Sequence, residues 1–161
     1  MPEKELIARQ IGISALTFND LKNRRLMDVK FDWDSALSFD GATGPYVQNA
    51  HVRLCSIMRK AGYSVKLSEG NFSELTDDSA YELIKLLARK GEKILSACEM
   101  EEPSVLAQYA LELSEAAHRF IHNDRVLGSA EEKSRLYLVQ SAQCVMENVL
   151  DLLGLFPIRQ M

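Results

Sequence analysis

Two histidines, His118 and His122, lie four residues apart. In a helix this spacing places both side chains on one face, as in many zinc sites. A zinc site needs further ligands, and the run His-Arg-Phe-Ile-His contains no carboxylate. We therefore expect no metal here. The two histidines are better suited to a polar rim, or to donating hydrogen bonds to a phosphate or a base.

Residues 40–44, Asp-Gly-Ala-Thr-Gly, precede a predicted helix and could cradle a phosphate at its N-terminus. The segment lacks the lysine and the spacing of a P-loop, which favours a simple turn that orients the helix. The sequence also lacks the GxSxG, GxGxxG and HExxH motifs. Its paired carboxylates are typical of solvated faces and of the first turns of helices. We expect no catalytic residue and no cofactor in this chain.

Positive charge is concentrated early in the chain. Residues 1–66 contain 10 Lys or Arg and 7 Asp or Glu, whereas residues 67–161 contain 9 and 16. The net charge of −4 excludes a polybasic protein that binds nucleic acid non-specifically, but allows a local patch for one RNA. Arg53 and Lys60 share a helix face, and Tyr46, Tyr63 and Tyr109 are suited to stacking on unpaired bases. An ordinary solvated face with core aromatics is the alternative.

The elements that must position these residues are predicted to be helical. Apolar residues at steps of three and four predict helices over residues 4–17, from Pro45 to Gly62, and as one continuous stripe from Ala80 to Cys98. Further helices are predicted after Pro103 and after a capping box of Ser129 and Glu132, the last one ending at Gly154. Residues 19–43 could be a short strand or an irregular connector. The prediction is an all-α bundle of about five helices with an N-terminal segment packed on it.

Cysteine usage and hydropathy indicate a cytoplasmic location. Cys55, Cys98 and Cys144 are far apart and form no CxxC pair, so we expect three buried free thiols. No apolar run approaches the ~20 residues that a transmembrane helix needs, and the N-terminus lacks a signal-peptide core.

Several segments together resemble the arginyl-tRNA synthetase family. Residues 31–53 read FDWDSALSFDGATGPYVQNAHVR, where the family reads approximately FDWDxxLxFEGNTGPYxQYAHAR. Residues 102–109, 119–127 and 150–161 are similar to the family's EPSxLxxY, RFYHxxRVL and LxLLGIxxPERM segments, and residues 11–16 and 20–24 resemble the stretch before them. The resemblance spans nearly the whole chain in order.

The resemblance implies the C-terminal anticodon-binding domain of the DALR type, a class I synthetase helical bundle over residues 43–161, preceded by a connector over residues 1–42. The HIGH-like and KMSKS-like signatures of the catalytic Rossmann domain are absent from the sequence. We therefore expect binding of an arginine tRNA by its anticodon stem and loop, and no arginine activation by this chain alone. In a longer enzyme the catalytic domain would be the partner of this chain. The sequence fits both a domain cut from such an enzyme and a naturally encoded fragment.

The resemblance also guides the choice of site residues. Tyr46, Tyr109 and Phe120 are expected to stack on bases or to support stacking, although Tyr109 lies on an apolar stripe and suits the core equally well. Hydrogen bonds to bases or ribose are expected from Gln48, His51 and His122. Phosphate contacts are expected from Arg24, Arg53, Arg59, Lys60 and Arg125. The chain departs from the family at Asn49, Ala117, His118 and Ile121, where aromatic residues are missing at two or three positions. If the family's aromatics at these positions bind RNA, their absence would weaken RNA recognition by this chain. If they only pack the bundle, RNA recognition would be unaffected.

Two alternatives remain open from the sequence. A stand-alone paralogue of the domain could act through protein contacts, which would suit the acidic second half. An enzyme that uses His118 and His122 is the less favoured alternative.

Overall fold

In a computed structural model, which describes residues 2–161, the chain is helical and those residues contain no β-strand. The helices of this range are α1 (Pro2–Leu21), α2 (Trp33–Ala36), α3 (Gly44–Ala61), α4 (Asp78–Ala88), α5 (Lys90–Glu99), α6 (Ser104–Asn123) and α7 (Glu132–Leu152). Two 3₁₀ turns, Leu67–Glu69 and Phe72–Glu74, follow α3. The predicted all-α class is confirmed.

Helix α6 lies at the centre of the bundle. It contacts α1, α3, α4, α5 and α7. Four alanines on it, among them Ala107 and Ala117, are buried and let neighbouring backbones approach closely, while Tyr109, Leu113 and Phe120 fill the space between helices. This alternation of small and large residues gives the close packing of a protein interior.

The ends of α3 follow the local signals in the sequence. The Thr43 hydroxyl accepts a hydrogen bond from the Tyr46 backbone N–H at 3.2 Å, and Pro45 occupies the first turn. Gly62 ends the helix in the left-handed region, with φ of 75°. Both ends agree with the prediction because N-caps and left-handed glycines act within a few residues.

Two predicted helix features are wrong. The continuous stripe from Ala80 to Cys98 is divided at Arg89 into α4 and α5, which both pack on α6. The tight turn from Leu86 O to Arg89 N redirects the chain there without interrupting the apolar pattern. The capping box does not form, because Ser129 donates to Val126 O and α7 begins only at Glu132.

The prediction of three buried thiols holds for Cys55 alone. Cys98 and Cys144 are exposed, because they lie at the edges of the apolar faces of α5 and α7 rather than in the interior. Within residues 2–161 no helix is both long and apolar enough to cross a bilayer.

Residues 22–43 form an irregular connector rather than a strand. Its one helix, α2, is capped by the Asp32 carboxylate, which accepts from the Ser35 N–H at 2.8 Å. The connector leaves large apolar side chains in solvent, since Leu26 is 91% and Trp33 55% exposed. Exposed apolar groups at this density are typical of a surface that another protein part covers.

Helices α1 and α3 touch backbone to backbone at Gly44. A Cβ atom added there would lie 2.6 Å from the Ser14 carbonyl oxygen and 3.1 Å from the Ala15 Cα. Gly12 in α1 is the opposite case, because an added Cβ would meet nothing within 4 Å. The fixed contact at Gly44 therefore joins the N-terminal helix to the bundle.

We expect Gly44→Ala to destabilise the protein by about 1–3 kcal/mol, because the methyl group forces two backbones apart. Gly12→Ala is the matched control and should stabilise by about 0.5–1 kcal/mol, since alanine is the better helix former. Urea denaturation of both variants measures this difference. Equal effects of the two substitutions would contradict the close approach.

Candidate nucleic-acid interface

Two of the predicted hydrogen-bonding residues lie inside the protein. Gln48 is fully buried and its side-chain amide donates to Ser14 Oγ and to the Phe156 carbonyl, both at 2.9 Å. His51 is also buried, and its Nδ1 donates to the Ile158 carbonyl at 2.9 Å. The two side chains fasten the C-terminal tail to α3.

Two of the predicted stacking residues are buried as well. Tyr109 is fully enclosed, its hydroxyl donates to the Leu86 carbonyl at 2.9 Å, and burial raises the pKa of Tyr109 to about 12. Phe120 belongs to the hydrophobic core. The expectation that Gln48, His51, Tyr109 and Phe120 face an RNA is corrected by this burial, because no base reaches them in this structure.

A second group of predicted residues does meet at the surface, on one edge between α3 and α6. Arg53 is exposed and its Nη1 lies 2.9 Å from His118 Nδ1. The Tyr46 ring lies 5.1 Å from the His118 ring, tilted by 54°. Tyr46 also borders a cleft of about 330 Å³ whose other lining residues are Gly41, Ala42, Gln108, Leu111 and Glu115.

Continuing along the two helices, this edge gains further basic groups. Lys60 is seven residues after Arg53 on the same face of α3 and is exposed, as is His122 one turn after His118 on α6. Arg119 pairs loosely with Glu115 at 3.9 Å. We call the surface formed by Tyr46, Arg53, Lys60, His118, Arg119 and His122 the α3–α6 edge.

Among residues 2–161, the basic residues of α3 lack carboxylate partners. In the part of the chain that the structure describes, Arg53, Arg59 and Lys60 form no ion pair with a carboxylate, although the Arg59 guanidinium reaches the Arg159 carbonyl at 3.4 Å. Most basic residues of the second half do form one: Lys85 with Glu82, Arg89 with Glu92, Arg119 with Glu115, Arg135 with Asp77, and Arg159 with Glu147. Helix α3 therefore carries three cationic side chains that no carboxylate within residues 2–161 neutralises.

The remaining predicted phosphate contacts lie apart from this edge. Arg24 borders a cleft of about 400 Å³ that shares Gln108 with the Tyr46 cleft, so the two clefts are neighbours. Arg125 follows α6, and its Nε donates to the Leu127 carbonyl at 3.0 Å.

A cleft near the start of α7 is acidic. It is lined by four glutamates, Glu69, Glu74, Glu131 and Glu132.

The departures from the family pattern fall on positions of different kinds. Ala117 is fully buried and Ile121 packs against the core, so both are packing residues here. Asn49 is half-buried on α3. The sequence predicted His118 to be a polar rim residue or a hydrogen-bond donor to a phosphate or base, but did not place it among the site residues listed from the family resemblance.

Hydrogen bonding defines the state of His118. Arginine can only donate, so His118 Nδ1 must accept and carries no hydrogen when this bond is present. Burial and the neighbouring Arg53 both lower the pKa of His118. Burial also lowers the pKa of His51, against the opposing effect of the Ile158 carbonyl. Both histidines are therefore neutral at pH 7.

Among residues 2–161 no three metal-ligating side chains converge.

Comparison with known proteins identifies a family. The model of the DALR anticodon binding domain matches residues 47–161. Arginine–tRNA ligase 1 of Bacillus cereus is 41% identical over 155 residues, which cover 96% of this chain and 27% of that protein. Arginine–tRNA ligase of Halothermothrix orenii is 37% identical over 157 residues, covering 96% of this chain and 28% of that protein.

Solved structures give the same result. Thermus thermophilus arginyl-tRNA synthetase superimposes with a TM-score of 0.86 at 36% identity, over all of this chain and 28% of that one. The Plasmodium falciparum arginyl-tRNA synthetase gives 0.85 at 28% identity, over 97% and 28%. The chain thus spans little more than a quarter of the length of these relatives.

We expect the stability of the protein to fall as the pH drops below about 6.5. The pKa of His51 and of His118 is lower in the folded state than the ordinary value near 6.5, so the unfolded chain takes up protons first on acidification. Urea denaturation at pH 7.5, 6.5 and 5.5 measures this loss. The control His51→Gln should be less stable at pH 7.5 but should lose less stability between pH 7.5 and 5.5. If His51→Gln lost as much stability between pH 7.5 and 5.5 as the wild type, protonation of His51 would not be a cause of the acid destabilisation.

Proposed function

This chain belongs to the DALR anticodon-binding domain family, and we propose that it binds the anticodon stem and loop of an arginine tRNA through the α3–α6 edge. The observation that carries the proposal is the unpaired charge on α3 beside a half-exposed aromatic ring. Arg53 and Lys60 form no ion pair within residues 2–161, and Tyr46, which borders a cleft, lies seven residues before Arg53 on α3.

This arrangement suits a folded RNA loop better than a duplex. Unpaired bases stack on aromatic side chains, and the backbone that links them is held by arginine and lysine. Tyr46 provides a ring surface, and Gln108 and Glu115 provide polar groups at the cleft beside it. Arg53 lies seven residues after Tyr46, on the same face of α3. The acidic cleft near the start of α7 would repel the same RNA, which limits the orientation of the complex.

The division of the chain follows from the same proposal. Residues 43–161 would bind the RNA, and residues 1–42 would connect them to the catalytic domain of a longer synthetase. The exposed apolar side chains of the connector, such as Leu26, Met27 and Trp33, suit packing against that domain. In this role the chain supports the attachment of arginine to tRNA but contains none of the residues that carry out aminoacylation.

We expect Lys60→Ala to weaken binding of an arginine tRNA, because one phosphate contact is lost. The slope of log affinity against log salt should fall in magnitude by about 1. Lys85→Ala is the matched control, since Lys85 is an exposed helical lysine on α4 that pairs with Glu82. Fluorescence anisotropy with labelled tRNA at low and at physiological salt measures both variants.

Two outcomes would contradict the proposal. Equal weakening by both substitutions would show that binding depends on overall charge rather than on the α3–α6 edge. Binding of arginine tRNA no stronger than that of an unrelated tRNA would remove the proposed specificity. It would favour the paralogue that acts through protein contacts.

A further inference from the structure

We propose that Arg53 and His118 together bind a single phosphate of the RNA backbone, and that His118 takes up a proton when this phosphate binds. The inference rests on the proposed function, because the phosphate belongs to the RNA that the α3–α6 edge would bind. It gives His118 a specific role within that edge, at a position where this chain differs from the family pattern.

The geometry of the free protein defines the starting state. Arg53 Nη1 and His118 Nδ1 are 2.9 Å apart, and only the guanidinium can donate. The imidazole is therefore neutral, with its proton on Nε2. This contact uses one of the five N–H donors of Arg53, and the exposed side chain leaves further donors free for a ligand.

Protonation of His118 changes the contact from attraction to repulsion. A proton on Nδ1 converts the acceptor into a donor, so two cationic donors would face each other where the hydrogen bond was. A phosphate oxygen beside them accepts from both and removes the conflict. Charge-assisted bonds of this kind are about twice as strong as neutral ones. The anion thus stabilises the protonated imidazole, and proton uptake accompanies binding.

Within residues 2–161 no carboxylate forms an ion pair with the His118 ring. The nearest carboxylate on α6 is Glu115, which pairs with Arg119 at 3.9 Å. Burial and Arg53 are what influence the pKa of His118, and both lower it. The titratable and charged groups around the imidazole are Tyr46 and Arg53 on α3, Asp40 on the preceding loop, and Glu115, Arg119 and His122 on α6 itself.

Tyr46 restricts the side from which the phosphate can approach. Its ring lies 5.1 Å from the imidazole and covers part of it, and burial raises the pKa of Tyr46, so the phenol carries no negative charge to compete for the proton. The phosphate must approach on the side left open by Tyr46, where Arg53 is exposed. A base on the same strand can then stack at the adjoining cleft.

The test compares binding of an arginine tRNA at pH 6 and pH 8 by the whole chain and its variants. The wild type should bind about three- to tenfold tighter at pH 6, because one proton is taken up on binding. An NMR titration of the histidines should show a higher pKa for His118 in the complex than in the free protein.

His118→Asn is the decisive variant. The asparagine side-chain oxygen can still accept from Arg53 but the residue cannot take up a proton. Its affinity at pH 6 should fall below that of the wild type, and its pH dependence should disappear. His122→Asn removes an exposed histidine one turn away on the same edge and should retain the pH dependence. Thermal melts verify that both variants are folded.

The outcomes separate this inference from the proposed function. Equal pH dependence of the wild type and His118→Asn would overturn the role of His118, as would loss of the dependence in His122→Asn alone. Absence of tRNA binding by the wild type at both pH values and low salt would instead overturn the proposed function.

Discussion

The burial of α6 is the constraint on which the rest of the structure depends. A helix that contacts all the other long helices must be apolar or small on nearly every side, and the residues from Leu106 to Phe120 meet this requirement. The sides of α6 that α4, α5 and α7 cover cannot carry a site. The residues that remain accessible beside α3 are Glu115, His118, Arg119 and His122, which follow one another at helical spacing. The position of the candidate site is therefore a consequence of core packing.

A second constraint comes from buried polar groups on α3. Gln48 and His51 lie in the interior, where an unpaired amide or imidazole would cost about 1–3 kcal/mol. The tail after α7 supplies the carbonyls of Phe156 and Ile158 to both of them. The polar residues that looked suited to a ligand thus hold the C-terminal tail in place. Ser14 joins α1 to the same network, because its hydroxyl accepts from Gln48 and from the Phe156 N–H.

The features that sequence could predict are the local ones. The cap at Thr43 and the glycine at position 62 act within a few residues, and so the ends of α3 were predictable. The break at Arg89 was not, because the apolar stripe continues across it and only the packing of two helices on α6 requires a turn. The roles of Gln48 and His51 depend on partners 108 and 107 residues away along the chain. The exposure of Arg53 and Lys60 agrees with the predicted face, whereas their contact with RNA stays a prediction.

The basic residues of α3 differ in how strongly they indicate an anionic ligand. Arg59 and Lys60 occupy the last turn of the helix, where cations interact favourably with the C-terminal end of the helix dipole. Their presence is therefore partly explained by the stability of the helix itself. Arg53 lies in the middle of α3, where the dipole gives no such benefit, and its side-chain hydrogen bond goes to a neutral imidazole rather than to a carboxylate. The charge of Arg53 is therefore offset neither by the helix dipole nor by a carboxylate within residues 2–161. Arg53 and His118 are for this reason the stronger evidence for an anion-binding function of the α3–α6 edge.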